Sequence, residues 1–228
     1  MRPLMEERFR KLLPFMVTVY EGGLIAYPLF LSLYPDGLSR IAVVDIAGLL
    51  FGFSIYMGLL TQVQTGEKAN ARLLLLDAWK TPAFDATVLG LIAGLTGLIK
   101  NNLDSTLGGV YTGTVTMVTS GMTAMILLAV GYNICLERKM IAVCLKTVVL
   151  RAVLQAAMIV IALLLSHCFL PANDMQDAAF IMYMAAPATF SMQAFMKTEE
   201  GSAYVSTTNS LYVIVSILVY AVMVFVRG

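Results

Sequence analysis

The sequence predicts an all-α polytopic membrane protein with about seven transmembrane helices. Of its 228 residues, 59% are hydrophobic and only 13% are charged, and the mean hydropathy is +0.83. A soluble domain usually carries about 25% charged residues, so too few charges remain here to cover a water-facing surface. The lipid bilayer is therefore an expected partner. The net charge of +1 excludes a strongly basic nucleic-acid-binding protein.

Seven apolar stretches approach the roughly 20 residues that a helix needs to cross a bilayer. We call them segments A to G: residues 12–34, 41–61, 83–99, 108–136, 146–170, 178–196 and 204–226. The connections are short except for residues 62–82, in which residues 71–79 are predicted to form an amphipathic helix at the membrane interface.

Lysine and arginine are distributed asymmetrically if the N-terminus is cytoplasmic and the segments alternate in direction. The inner side then receives Arg2, Arg8, Arg10, Lys11, Lys68, Arg72, Lys80, Arg138, Lys139, Lys146 and Lys197, and the outer side receives Arg40, Lys100 and Arg227. Because positive charge concentrates on the cytoplasmic side, we expect an integral protein of the plasma (inner) membrane. Its N-terminus would be cytoplasmic and its C-terminus outside.

Segment A contains features that are unusual for a membrane-crossing helix. Glu21, Gly22, Gly23 and Pro28 lie within eight residues near its middle. Glycine permits backbone angles closed to other residues, and proline removes a helical hydrogen bond. A carboxylate near the bilayer centre costs about 2.5–3.5 kcal/mol on insertion scales. We therefore expect a broken helix lining a cavity; a simple proline kink is the alternative.

Segment F repeats this pattern with Pro187 among small residues, followed by Thr189, Ser191 and Gln193. Two proline-interrupted helices in different parts of a chain indicate a binding site between repeats. Segment A runs outward and segment F inward, as an inverted repeat requires. We expect the two breaks, at Pro28 and Pro187, to meet near the midplane, with Asn209 of segment G at their border.

Other features leave alternatives open or exclude functions. Arg151 in segment E is either a side chain that reaches the interface or a counter-charge at the site. The hydroxyl face of segment D, which includes Thr112 and Thr119, fits helix–helix hydrogen bonds better than a pathway lining. The three cysteines lack metal-ligand spacing and there is one histidine, so no metal site is expected. No enzyme motif is present, and neither enzymatic activity nor a cofactor is expected.

Three stretches resemble the auxin efflux carrier family of secondary transporters and permeases. They are residues 21–29 (EGGLIAYPL), residues 80–91 (KTPAFDATVLGL), and Ala186-Pro187-Ala188-Thr189 together with residues 207–210 (TTNS). Glu21 stands where the family often has asparagine, and Ala26 replaces a usual glycine. The resemblance implies ten helices in two inverted five-helix repeats, of which segments A to G match the fourth to the tenth.

The resemblance implies three regions in this chain. Residues 1–61 would be the remnant of the first repeat, residues 62–82 a cytoplasmic loop, and residues 83–228 the second five-helix repeat. Without the family's first three helices, the chain is expected to be inactive alone. A homodimer is a further possibility.

The implied function is efflux of a small organic anion by a secondary transporter, coupled to a gradient of H+ or Na+. Candidate substrate-binding residues are Glu21, Gly22, Gly23, Pro28, Pro187, Thr189, Ser191, Gln193 and Asn209, with Arg151 as candidate counter-charge. Half-helix N-termini at the breaks would bind the substrate carboxylate. The alternatives are a carrier similar to the bile-acid–sodium symporters and a truncated, non-transporting membrane interaction protein.

Overall fold

The computed structural model of the chain describes residues 9–66, 76, 79, 82–105, 108–121, 124, 125, 128, 132 and 136–227. The regular structure in these residues is helical, and no strand occurs among them. The α-helices bounded within them are α1 Leu13–Thr18, α2 Tyr27–Leu33, α3 Leu38–Phe51, α4 Met57–Thr65, α5 Pro82–Leu95, α6 Leu98–Leu103, α7 Gly108–Thr119, α8 Ile141–Phe169, α9 Asp174–Met184 and α10 Glu199–Arg227. Two π-helices, Gly22–Ala26 and Gly52–Tyr56, and a 3-10 helix, Phe190–Phe195, accompany them.

Two of these helices are long and apolar enough to cross a membrane. They are α8 and the part of α10 from Glu199 to Val226, with mean hydropathies of 2.5 and 2.3 in their most apolar stretches. Only 17% and 28% of the residues in those stretches are buried, whereas a core helix of a soluble protein would be mostly buried. Large apolar side chains such as Phe169 and Phe225, exposed to 83% and 89%, are compatible with a lipid-facing surface.

The helix ends follow from local sequence signals. The side chain of Asn173 accepts a hydrogen bond from the Gln176 N–H and caps the start of α9. The hydroxyl of Thr198 accepts from the Gly201 N–H at the start of α10 in the same way. Gly66 and Gly97 take φ values of +77° and +75°, and each ends the preceding helix in the left-handed conformation that glycine tolerates best.

The predicted segments B, C and D differ from the observed helices. Helical structure in segment B runs through a π-helical stretch to Thr65, four residues beyond the predicted end. Segment C is divided at Gly97 into α5 and α6, because the left-handed glycine cannot continue the helix. Segment D contains α7, and most of residues 122–135 lie outside the described part. The helix predicted at residues 71–79 also lies outside it, apart from Leu76 and Trp79.

Many of the buried apolar residues form two clusters, one before and one after the break in segment A. The first joins segment A before its break to the end of segment B and the start of α8 and α10; it includes Met16, Tyr56, Leu60, Met192 and Tyr204. The second joins segment A after its break to the start of segment B and to α9; it includes Ile25, Phe30, Ile41, Ala179 and Met182. The breaks of segments A and F lie where the two clusters meet.

The helices α5 to α7 pack little against the rest of the described chain. Most of their side chains are exposed, and Leu95 and Met117 each expose 81% of their surface. Hydroxyl groups of α7 donate to carbonyls of the preceding turn of the same helix, as Thr112 does to Gly108 and Thr119 to Val115. The helix–helix hydrogen bonds expected from its hydroxyl face are therefore not seen for these two residues.

Candidate functional site

The helix in segment A is interrupted, but not at its proline. The α-helix α1 ends at Thr18, and Val19 is extended, with φ −115° and ψ 148°. Glu21 is also outside the helical region, and a π-helical stretch begins at Gly22. Pro28 lies in the first turn of α2, where its missing N–H would have had no helical partner. The expected break at Pro28 is thus displaced to residues 19–21.

The helix in segment F is interrupted at the expected place. The helix α9 ends at Met184, residues 185–189 are not helical, and the 3-10 helix begins at Phe190. Pro187 lies in the middle of the interruption, where its fixed φ and missing N–H favour non-helical backbone. The chain then turns into α10 at Glu199.

The two interruptions are joined directly by a reciprocal pair of hydrogen bonds. The backbone N–H of Glu21 donates to the carbonyl of Pro187 at 2.8 Å. In the opposite direction, the N–H of Phe190 donates to Oε2 of the Glu21 carboxylate at 2.8 Å. The Thr189 hydroxyl also bonds to this carboxylate. Glu21 therefore supplies both a backbone and a side-chain link between segments A and F.

The carbonyls at the end of α1 accept hydrogen bonds from buried side chains of other segments. The last carbonyls of any helix lack an N–H partner within it. Here Tyr56 donates to the Phe15 carbonyl at 3.1 Å, and Gln155 donates to the Val17 carbonyl at 3.0 Å. The interruption of segment A is therefore a stabilised feature of the fold.

Arg151 is the central donor of this arrangement. Its side chain is fully buried, and its guanidinium donates to the carbonyls of Met16, Val19 at 3.1 Å and Ala186 at 2.9 Å. It therefore touches both interruptions. Positive charge is favourable at the C-terminal ends of helices, where the carbonyls carry partial negative charge. Of the two roles left open for Arg151, a side chain that reaches the membrane interface does not fit, because its partners are buried carbonyls within the fold.

Aromatic rings and polar side chains surround the Arg151 guanidinium. It lies 5.4 Å from the ring centre of Tyr20 and 4.9 Å from that of Tyr212, within the range of cation–π attraction. The Tyr20 hydroxyl donates to Gln155 at 2.7 Å. The Ser216 hydroxyl donates to the Ala185 carbonyl at 2.6 Å, which adds a contact from α10 to the second interruption.

Asp45 in segment B is a site residue that the sequence analysis missed. It is buried, and its carboxylate accepts hydrogen bonds from the hydroxyls of Tyr27 and Tyr183. A Cβ atom at Gly22 would lie 2.8 Å from Oδ1 of Asp45, so glycine permits this close approach. The available signal was a lone carboxylate inside an apolar segment, which is costly in a membrane and normally functional.

A cavity of about 690 Å³ opens beside the junction of segments A and F. Its size falls in the range of about 300–1,000 Å³ that is typical of small-molecule sites. Its polar lining includes Glu21, Asp45, four tyrosines and two threonines, and its apolar lining includes Leu31, Leu49 and Met57. Its walls come from segments A, B, D and F.

The structure brings some of the predicted site residues to the cavity and leaves others away from it. Those that line the cavity are Glu21, Gly22, Gly23, Pro28 and Thr189. Pro187 contacts Glu21 through its carbonyl, and Gln193 lies in the 3-10 helix without lining the cavity. Asn209 is buried on α10, and its side-chain nitrogen and oxygen have no hydrogen-bond partner among the described residues. The Ser191 side chain lies outside the described part.

Comparison with known proteins identifies no relative of this chain. It matches no protein-family model, and no curated protein or solved structure is significantly similar to it. The resemblance to the auxin efflux carriers therefore rests on the sequence motifs alone.

Proposed function

We propose that the chain is an integral membrane protein of the secondary-transporter class and that it binds a small organic ion in the cavity beside the two helix interruptions. The observation that carries this proposal is the reciprocal bonding of Glu21 with Pro187 and Phe190. Interrupted helices that meet against a cavity are the usual construction of substrate sites in such transporters. The proposal includes seven membrane spans, an inverted repeat and coupling to an H+ or Na+ gradient.

Broken backbone is tolerated at membrane depth only where it is covered by protein or faces a cavity. Both conditions hold at this junction. Arg151, Gln155 and Tyr56 donate to carbonyls at the end of α1 and at Val19, and Glu21 lines the cavity. Such a junction can separate and re-form as two helix bundles move, because its links are a few hydrogen bonds of modest net strength.

The transport proposal is tested with the purified chain in liposomes. Saturable uptake of radiolabelled phenylacetate or of radiolabelled 2-phenylethylamine, above the flux into protein-free liposomes, would support transport and would overturn the expectation that the chain is inactive alone. Faster uptake in the presence of a sodium gradient would favour the alternative that the chain is a carrier similar to the bile-acid–sodium symporters. Flux equal to that of protein-free liposomes for both compounds would contradict transport by this chain.

A second candidate function is a non-transporting membrane protein that assembles with another carrier. The exposure of most side chains in α5, α6 and α7 favours it, because apolar helix faces of this kind bind either lipid or another protein. Saturable binding of one compound in the same preparation, without uptake, would favour this candidate over the transporter.

The proposed orientation predicts which loops react with a membrane-impermeant thiol reagent. In a variant with Cys135, Cys144 and Cys168 replaced by serine, a single cysteine at position 174 should react in intact cells. A single cysteine at position 139 should react only after permeabilisation, since the excess of lysine and arginine places its loop in the cytoplasm. The reverse pattern at these two positions would overturn the orientation.

A further inference from the structure

We propose that the cavity binds an organic cation, namely a small amphipathic ammonium compound. This inference rests on the proposed function, because it assigns a substrate class to the same cavity. It differs from the organic anion that the family resemblance implies. The charge of the lining, the hydrogen bonds of its hydroxyls and the position of the Glu21 carboxylate each favour a cation.

The charged groups that line the cavity are both acidic. Glu21 and Asp45 are among its walls, and none of the described lining residues is a lysine, arginine or histidine. Arg151, whose guanidinium lies 5.4 Å from the ring centre of the lining residue Tyr20, does not line the cavity itself and donates to backbone carbonyls. With both carboxylates ionised, these three side chains carry a net charge of −1. A bound anion would add to this charge in a poorly solvated site, whereas a bound cation would neutralise it.

The side-chain hydroxyls of the lining are already used as donors within the protein. Their acceptors are Gln155 for Tyr20, the Phe15 carbonyl for Tyr56, Asp45 for Tyr27 and Tyr183, Glu21 for Thr189, and the Val115 carbonyl for Thr119. An anion needs donors, and an ammonium group needs acceptors. What these side chains leave to a ligand is acceptor capacity on carboxylate and hydroxyl oxygens.

The Glu21 carboxylate also occupies a position expected for the substrate carboxylate. The sequence predicted that a half-helix N-terminus at the breaks would bind an anionic substrate. At the start of the 3-10 helix, the N–H of Phe190 instead donates to Glu21. The chain thus supplies its own anion at this helix end, and the carboxylate is held at the cavity wall.

The remaining lining fits the organic part of an ammonium compound. The rings of Tyr20, Tyr27, Tyr56 and Tyr183 contribute to the walls, and aromatic faces attract ammonium groups. Leucine and methionine side chains supply an apolar surface beyond the carboxylates; they include Leu24, Leu31, Leu49 and Met57. A ligand with an ammonium group beside Glu21 and Asp45, and with an aromatic or aliphatic body along the apolar surface, fits both the acidic and the apolar parts of the lining.

The test compares two compounds of similar size and opposite charge, 2-phenylethylammonium and phenylacetate. Equilibrium binding of each radiolabelled compound is measured on the purified full chain in detergent at pH 7, which requires no transport. We expect saturable binding of 2-phenylethylammonium that unlabelled phenylacetate does not displace. The variant Glu21→Gln should bind the ammonium compound about tenfold or more weakly, since its amide oxygen can still accept a hydrogen bond but lacks the negative charge that strengthens it.

The matched control is Asp36→Asn, because Asp36 is an exposed carboxylate outside the cavity. It should bind like the unmodified chain, and Glu21→Asp should retain part of the affinity. The comparison of the two compounds on the unmodified chain decides the charge preference even if Glu21→Gln fails to fold.

Each other outcome overturns the cation assignment. Preferential binding of phenylacetate would do so while leaving the transporter proposal intact. The absence of saturable binding for both compounds would also overturn it, and uptake of phenylacetate in liposomes would then show that only the substrate class was wrong. Equal binding by the unmodified chain and a folded Glu21→Gln variant would show that the ammonium compound does not bind at the Glu21 carboxylate.

Discussion

Replacement of Arg151 by methionine is expected to lower the free energy of unfolding by about 3–6 kcal/mol. The methionine fills part of the same space, but the carbonyls of Met16, Val19 and Ala186 lose their donor. A buried polar group left unsatisfied costs about 1–3 kcal/mol, and three are affected. Thermal unfolding of the purified variant in detergent measures the loss.

A matched control lies on the same helix. Lys146 is exposed, so Lys146→Met removes a positive charge from α8 without leaving buried carbonyls unpaired, and it should unfold close to the unmodified chain. Arg151→Lys should fall between the two, because a lysine keeps the charge but lacks the planar fork that reaches three carbonyls. Unfolding of Arg151→Met at the temperature of the unmodified chain would show that the guanidinium is not needed at the interruptions.

The second large effect is expected for Gly48→Ala, which should destabilise the fold by about 1–3 kcal/mol through overpacking. A Cβ atom at position 48 would overlap the hydroxyl of Tyr183. Tyr183 is buried and cannot move aside without giving up its hydrogen bond to Asp45. We therefore expect both a lower unfolding temperature and weaker binding of 2-phenylethylammonium.

Gly52→Ala is the control for this substitution. Gly52 follows four residues later, also lines the cavity, and a Cβ atom there would have no neighbour within 4 Å. Because alanine is a better helix former than glycine, this variant should be as stable as the unmodified chain or slightly more stable. Equal losses in the two variants would indicate that backbone freedom in segment B matters, and not the contact with Tyr183.

The sequence alone was sufficient to predict the helical fold and the two helix interruptions. Apolar runs long enough to cross a membrane can be recognised in the sequence, and α8 and α10 have the length and the hydropathy of membrane-crossing helices. The glycine pair in segment A and Pro187 in segment F lie at or next to the interruptions, since their backbone preferences act locally. Pro28 did not locate one, because it lies in the first turn of α2. Glu21 was chosen as a candidate because a carboxylate inside an apolar segment is conspicuous. The same signal was present at Asp45 and was overlooked.

The tertiary structure decided what those residues do. No local rule could place Arg151 at the carbonyls of Met16, Val19 and Ala186, because these groups are brought together by packing of segments distant in sequence. The same holds for the Glu21 carboxylate, whose donor, Phe190, lies 169 positions along the chain. The charge character of the cavity depends on which hydroxyls and N–H groups are already paired. Composition and spacing cannot determine that pairing, because it is a property of the assembled fold.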